Sequence, residues 1–130
     1  MKNEKIQSFK ELRVWQKGIE IVEDIYRMTK NFPKEEMYGL SSQMRKAAIS
    51  IPSNIAEGFK RFHNKEYKQF LHITLGSSAE FETQLILSHK LDYVTNKTLL
   101  AITEKINQLS KMVTLLMRKL MSCPDIVDSF

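Results

Sequence analysis

The sequence has little of what breaks or staples a chain. Among 130 residues there are three prolines, four glycines and one cysteine. So few breakers, with apolar residues spread along nearly the whole length, argue against disorder and against a turn-rich β-sandwich. Cys123 is alone, so there is no internal disulfide framework and no cysteine-rich zinc site. No apolar run approaches the ~20 residues that span a bilayer. The start, Met1-Lys2-Asn3-Glu4-Lys5, lacks the apolar stretch of a signal peptide. Cytoplasmic residence without a membrane partner is the default expectation. At this length the chain is one domain, large enough for a core but not for a roomy cleft between lobes.

Catalytic motifs are also missing. His63, His72 and His89 are preceded at three positions by Lys60, Gln69 and Ile86, so none has the Glu-x-x-His spacing of a bundle di-metal centre. There is no His-Glu-x-x-His zinc motif and no phosphate-cradling glycine loop. Cys123, near a polar tail, reads as an incidental thiol. The expectation is a protein that is not an enzyme and needs no metal or cofactor.

What the chain does carry is helical periodicity. Leu12, Trp15, Ile19, Val22 and Tyr26 alternate spacings of three and four, the mark of an amphipathic helix. Beside them runs a second stripe, Val14, Gly18, Ile21, Ile25, Met28 and Phe32. Two stripes make a wider apolar face than one partner helix covers, which predicts an oligomer interface through Val14, Ile21, Ile25 and Phe32. Pro33 ends this helix, because the residue before a proline is pushed out of the helical region. A second helix is expected from about Leu40 to Phe59, and a third from a cap at Asn64 to about Leu91. A fourth starts at Thr95 or Asn96, and its heptad seam is Leu99, Ile102, Ile106, Leu109, Val113, Leu116 and Leu120. Four such helices joined by short turns describe an all-α, antiparallel up-down four-helix bundle over residues 11–121. Residues 1–10 are expected to fray and residues 122–130 to form a loose tail.

The second helix holds an unusual stretch, Ser50-Ile51-Pro52-Ser53-Asn54-Ile55-Ala56-Glu57-Gly58. Proline in a helix interior loses one hydrogen bond and clashes with the carbonyl four residues back, here that of Ala48, at roughly 3 kcal/mol. A kink at Pro52 is therefore expected. Gly58 falls where a helix end prefers glycine. Gln43, Ser50, Asn54 and Glu57 share one helical face. In the third helix Gly76-Ser77-Ser78-Ala79 is small and polar, which suggests close approach of another backbone, with Phe70, Phe81 and Leu85 as anchors. With Arg45, Ser77, Glu80 and Gln84, the stripe reads as a structural polar seam between these two helices. The competing reading puts some of these groups at a subunit interface, along a channel or against a ligand.

These residues carry a resemblance. Phe9, Leu12, Trp15, Phe32-Pro33, Glu36, Tyr38-Gly39-Leu40, Gln43, Arg45 and Ala47-Ala48 are one part of it. Ser50-Ile51, Asn54-Ile55-Ala56-Glu57-Gly58, Gly76-Ser77, Glu80 and Glu82-Thr83-Gln84-Leu85 are the other. From about Phe9 to Leu120 the chain resembles the 23S rRNA intervening-sequence proteins, also called the four helix bundle or S23 family. It departs at Thr74, where alanine is expected, and at Ser78 and Phe81, where leucines are commoner. The resemblance implies a four-helix bundle assembled as a ring-shaped homopentamer. A similar family, the accessory variability proteins of diversity-generating retroelements, implies binding to reverse transcriptase and RNA.

The charge balance, 20 basic against 15 acidic residues, is a net +5. Lys10, Arg13 and Lys17 lie along the first helix. Lys60, Arg61, Lys65 and Lys68 occupy the turn between the second and third. Lys105, Lys111, Arg118 and Lys119 decorate the fourth. For any single lysine, ordinary solvated surface is sufficient explanation. Five copies of a +5 chain would carry about +25, enough to focus field around a ring. Lys60, Arg61, Lys65, Lys68, Lys111, Arg118 and Lys119 are the expected nucleic-acid contacts, made to backbone phosphates with weak sequence preference. Phe62 and Tyr67 stand near enough to stack on bases, although Tyr67 equally suits a core. Two functions follow: an oligomeric RNA-binding module, or a scaffold docking a reverse transcriptase or other polymerase-like or ribosome-related protein.

Overall fold

The computed structural model describes residues 6–122, which fold into four long helices: α1 (Arg13–Thr29), α2 (Leu40–Phe59), α3 (Asn64–Lys90) and α4 (Asn96–Ser122). There is no strand among the described residues. Each helix packs on the next and α4 closes back on α1, while the diagonal pairs stay apart. This is the expected antiparallel up-down bundle. Cys123 and the tail after Ser122 lie outside the described residues, as do residues 1–5.

The start of the bundle corrects one expectation. Ser8 Oγ accepts from the Lys10 amide at 3.2 Å and caps a short 3₁₀ turn, Phe9–Glu11. Phe9 lies edge-on to Trp15 with ring centroids 5.4 Å apart. Gln16 Nε2 donates to the Lys10 carbonyl at 2.9 Å. An aromatic contact and two polar ties hold residues 8–10, within the stretch expected to fray.

Each helix end has its own device. α1 stops at Thr29, ahead of Pro33, and Thr29 Oγ1 donates back to the Ile25 carbonyl at 2.7 Å. α2 has no cap from Gly39. Glu36 supplies it instead, with Oε1 accepting from the Leu40 amide at 3.0 Å and Oε2 from the Tyr93 hydroxyl at 2.9 Å. A negative group at a helix start also opposes the macrodipole. α3 ends with Asp92 at φ 65°, while the Asp92 and Tyr93 amides bond the His89 and Ser88 carbonyls at 3.0 and 2.9 Å. That pattern is a Schellman motif. Thr95 Oγ1 accepts from the Thr98 amide at 3.1 Å and caps α4. Asn64 is not the cap of α3. It is the first helical residue, and its Nδ2 reaches the Leu120 carbonyl at 3.4 Å.

The core runs the length of the bundle, and α4 contributes the expected seam, with Ile102, Ile106, Leu109 and Val113 buried. Of the two stripes on α1, the second is the inner one. Val14, Ile21, Ile25 and Phe32 are at most 7% exposed, packed in this chain's own core. They are therefore not an oligomer interface, because burying each such side chain is worth about 1.5–3 kcal/mol to the protomer itself. The first stripe, from Leu12 through Tyr26, is the half-exposed one.

α2 continues helical through Pro52. The proline ring faces Gly18 of α1, where an added Cβ would lie 3.3 Å from Pro52 Cβ. Gly58 serves packing rather than a helix end: a Cβ there would sit 2.9 Å from Phe70 Cβ. Gly76, by contrast, faces open space, so the close backbone approach expected there is not made among the described residues.

Candidate functional site

Up-down topology puts the start of α1, the turn from α2 to α3 and the end of α4 at one end of the bundle, and the Asn64–Leu120 hydrogen bond ties the last two together. Three basic groups, separate in sequence, thereby share one region. Lys10, Arg13 and Lys17 come from the first segment, Lys60, Arg61, Lys65 and Lys68 from the turn, and Lys111, Arg118 and Lys119 from α4. The carboxylates among and beside them are Glu11, Glu20, Glu57 and Glu66, so ten cations face four anions, and Lys17 pairs with Glu20 at 3.5 Å. Clustered charge of one sign raises the local concentration of counter-charged partners far more than scattered charge does.

The cations are not equivalent. Lys60, Lys65, Lys111, Arg118 and Lys119 are exposed, while Lys68 is half-buried. Arg61 is exposed but engaged: it pairs with Glu57 at 3.3 Å and lies over the Phe70 ring at 4.7 Å. Lys105 belongs elsewhere, bridging Asp24 at 2.5 Å and Glu20 at 3.2 Å between α4 and α1. Those bonds, Asp24 foremost, raise the Lys105 pKa against the opposing effect of burial. Of the two aromatic candidates, Phe62 is 90% exposed at the tip of the basic turn. Tyr67 packs edge-on to Phe59 instead, and burial pushes its hydroxyl pKa up to about 12.

Beside the α4 cations runs a groove of about 690 Å³ between the start of α1 and the end of α4. Leu12, Met112, Leu115 and Leu116 line it, with Arg13, Arg118 and Lys119 around them. Lys111 and Arg118 border a shallower neighbour, about 370 Å³. Nothing in the sequence pattern joined Leu12 to Leu115; the closure of α4 on α1 does.

A family model of the 23S rRNA-intervening sequence protein matches residues 10–115. The chain belongs to that family. Among solved structures it is similar to a protein of unknown function, of the S23 ribosomal protein family, from Bacteroides thetaiotaomicron. The TM-score is 0.74 at 21% identity, covering 81% of this chain and 95% of that one, a likeness of fold. A search of curated proteins finds no match.

In this intervening-sequence protein the polar seam is real but shorter than spacing suggested. Ser50 Oγ and Ser77 Oγ lie 2.7 Å apart between α2 and α3. Asn54 Nδ2 donates to the Ser50 carbonyl and hydroxyl at 2.8 and 2.9 Å. Gln84, seven residues on from Ser77, is buried, and its Oε1 has no partner among the described residues. Arg45 is not part of this seam. Its Nε donates to Thr29 Oγ1 at 2.8 Å and its guanidinium lies 4.4 Å from the Tyr26 ring centre, tying α2 to α1. Gln43, Glu57 and Glu80 are exposed, so they fall outside the seam as well. The residues that depart from the family pattern are accommodated locally. Thr74 and Ser78 are buried and donate to the carbonyls four residues back at 3.1 and 3.0 Å, and Phe81 fills the core.

The same seam contains residues the spacing did not single out. Ser88 is buried and donates to the Gln84 carbonyl at 2.9 Å and to Met44 Sδ at 3.2 Å. A second surface was also missed. Trp15, Ile19, Val22, Ile49 and Pro52 line an apolar groove of about 260 Å³ along α1 and α2. Ile49 continues it into a neighbouring cavity of about 420 Å³ with Tyr26, Met37, Tyr38 and Arg45. No described helix is long and apolar enough to cross a membrane.

Proposed function

We propose that this protein is a non-catalytic, self-associating module that binds RNA through the basic end of its bundle, mainly by phosphate contacts. The observation that carries the reading is the gathering of ten cations against four carboxylates where three chain segments meet. An exposed aromatic, Phe62, at the tip adds a stacking surface. Contacts of these cations to phosphates position the nucleic acid without specifying its sequence. Repetition of the basic end around a homopentamer, the assembly implied by the resemblance, would supply the charge that one subunit lacks.

The test is binding to unrelated structured RNAs across a salt series. Affinity falls steeply with salt, because each neutralised phosphate releases condensed counterion. Replacing Lys60, Arg61, Lys65 and Lys68 together by Gln weakens binding to all of them and flattens the salt slope by about one unit per lost contact. Absence of binding by the parent at low salt removes the reading.

That outcome would favour the scaffold reading, in which a reverse transcriptase or ribosome-related protein docks. The exposed Met37 and Tyr38, at the end away from the basic cluster, are what supports it.

A further inference from the structure

We propose that the apolar groove along α1 and α2 receives the outer face of α3 from a second copy of this chain, with the partner's Glu80 against Arg45. This pairing rests on the self-association reading and names the two surfaces that meet, which differ from one another.

One surface is a stripe of α3. Ile73, Gly76, Glu80, Thr83 and Leu87 alternate spacings of three and four, so they share one helical face, and all five are exposed. A glycine in mid-helix costs about 1 kcal/mol against alanine. Nothing in the protomer lies within 4 Å of a Cβ added at Gly76, so no contact inside the chain explains it. Ile73 and Leu87 flank it, 50% and 44% exposed. The stripe is a notch between two apolar side chains, with one carboxylate beside the notch.

The groove carries the complement in the same order. Ile49 lines both of its cavities and is 41% exposed, a knob where α3 has a notch. One turn before it, Arg45 is half-buried and held in place by Thr29 and the Tyr26 ring. No carboxylate pairs with Arg45 among the described residues, and Lys46 beside it is exposed. A guanidinium positioned in this way without a counter-charge is suited to a carboxylate.

A single register joins the two. With α3 antiparallel to α2 and the partner's Gly76 opposite Ile49, four residues back along α2 and four forward along α3 set Arg45 opposite Glu80. Seven residues set Ser42 opposite Thr83, and three the other way set Pro52 opposite Ile73. Equal steps on two α-helices have equal length, about 1.5 Å per residue, so knob, charge and apolar ends align together. Beyond them the partner's Leu87 reaches the exposed Met37 and Tyr38. Charge and spacing thus select this chain's own α3 as the occupant. The contact is heterologous: each copy uses one surface to give and another to receive.

The experiment is light scattering on single variants of this chain, alone and mixed, with circular dichroism to follow helical content. Ile49→Glu blocks the groove and Gly76→Lys fills the notch. Each alone gives the protomer mass with helical content unchanged. Their equimolar mixture gives twice that mass, because the first variant keeps its α3 stripe and the second keeps its groove. Leu87→Lys in place of Gly76→Lys gives the same result. Glu80→Arg, set against Arg45, raises the concentration needed for half-assembly about ten-fold or more, since like charges then meet. Glu104→Arg on α4 leaves it unchanged. Assembly of Gly76→Lys and Leu87→Lys at the parent's mass overturns the pairing and leaves self-association standing. So does a mixture that stays at the protomer mass, or an equal effect of Glu80→Arg and Glu104→Arg. A monomeric parent ends self-association and this pairing with it.

Discussion

Pro52 of α2 rests its ring against Gly18 of α1, at a separation where an added Cβ would approach Pro52 Cβ to 3.3 Å. A proline lacks the amide that completes the helical ladder, so its position in mid-helix needs compensation from packing. The glycine opposite, in the second helical stripe of α1, lets the ring enter the contact. Gly18→Ala should therefore lower stability by about 1–2 kcal/mol, overpacking outweighing the gain of ~1 kcal/mol in helix propensity. Gly76→Ala, facing open space, should raise stability by about 1 kcal/mol. Urea unfolding of both variants checks the pair. If both move the same way, the contact at Gly18 is not tight.

The bundle was legible in the sequence because each helix carries its own period, and the heptad seam of α4 from Ile102 to Val113 is buried as read. Which side of α1 faces inward was not legible. Val14-Gly18-Ile21-Ile25 and Trp15-Ile19-Val22 are adjacent stripes of similar hydrophobicity, and only the placement of α2 and α4 decides between them. The polar stripe shows the same limit. Ser50 and Gln43 share a face by spacing, yet a modest rotation of α2 puts one beside Ser77 and the other in solvent. The basic end was half legible: its three groups were visible, but their convergence is a property of topology.

Gln84 holds a buried acceptor with no partner among the described residues. A buried unsatisfied group costs about 1–3 kcal/mol, so Gln84→Leu should stabilise the protein by about 1 kcal/mol. Asn54→Ala should destabilise by a similar amount, since it removes two hydrogen bonds to Ser50. Glu80→Ala, at an exposed position, should change stability by less than about 0.5 kcal/mol. Destabilisation by Gln84→Leu, measured by thermal unfolding, would reveal a donor that the assembled protein supplies.

Self-association should depend on Ile49, not on the inner stripe of α1. Ile49 is 41% exposed and is shared by the two cavities along α1 and α2. Ile49→Glu should lower the mass measured by light scattering while leaving helical content intact, because a charge there opposes burial against another copy. Ile21→Glu should unfold the protomer instead. A monomeric mass for the parent at micromolar concentration would end the self-association reading.

Alkaline pH should weaken the fold through Tyr67. Burial raises its hydroxyl from 10.0 to about 12, so the folded state retains a proton that the unfolded state has lost between those values. Stability from this group is complete below pH 10 and is lost as pH rises toward 12. Two units correspond to about 3 kcal/mol, reduced by solvent screening to roughly 1–2 kcal/mol for a partly exposed ring. Lys105, also raised, loses its contribution above pH 10.5. Tyr67→Phe should show a smaller fall in melting temperature from pH 9 to pH 12 than the parent. Parallel curves for the two proteins would show that Tyr67 titrates alike in both states.

Phe62 is 90% exposed between Arg61 and His63, at the tip of a turn whose neighbours are cations. Left in water, its ring makes no packing contribution to the bundle, so Phe62→Ala should leave thermal stability unchanged. Stacking of an unpaired base on an aromatic ring is worth about 1–3 kcal/mol. The same substitution should therefore weaken binding to RNA with exposed loops about 5- to 150-fold. It should leave the salt dependence of that binding as it was, because no phosphate contact is lost. Binding to a fully paired RNA duplex, whose bases are stacked inside, should not change. This separates the ring from its neighbours, since Lys60→Gln and Lys65→Gln flatten the salt slope and weaken loop and duplex alike. Equal affinity of Phe62→Ala and the parent for looped RNA would leave the basic end with phosphate contacts alone.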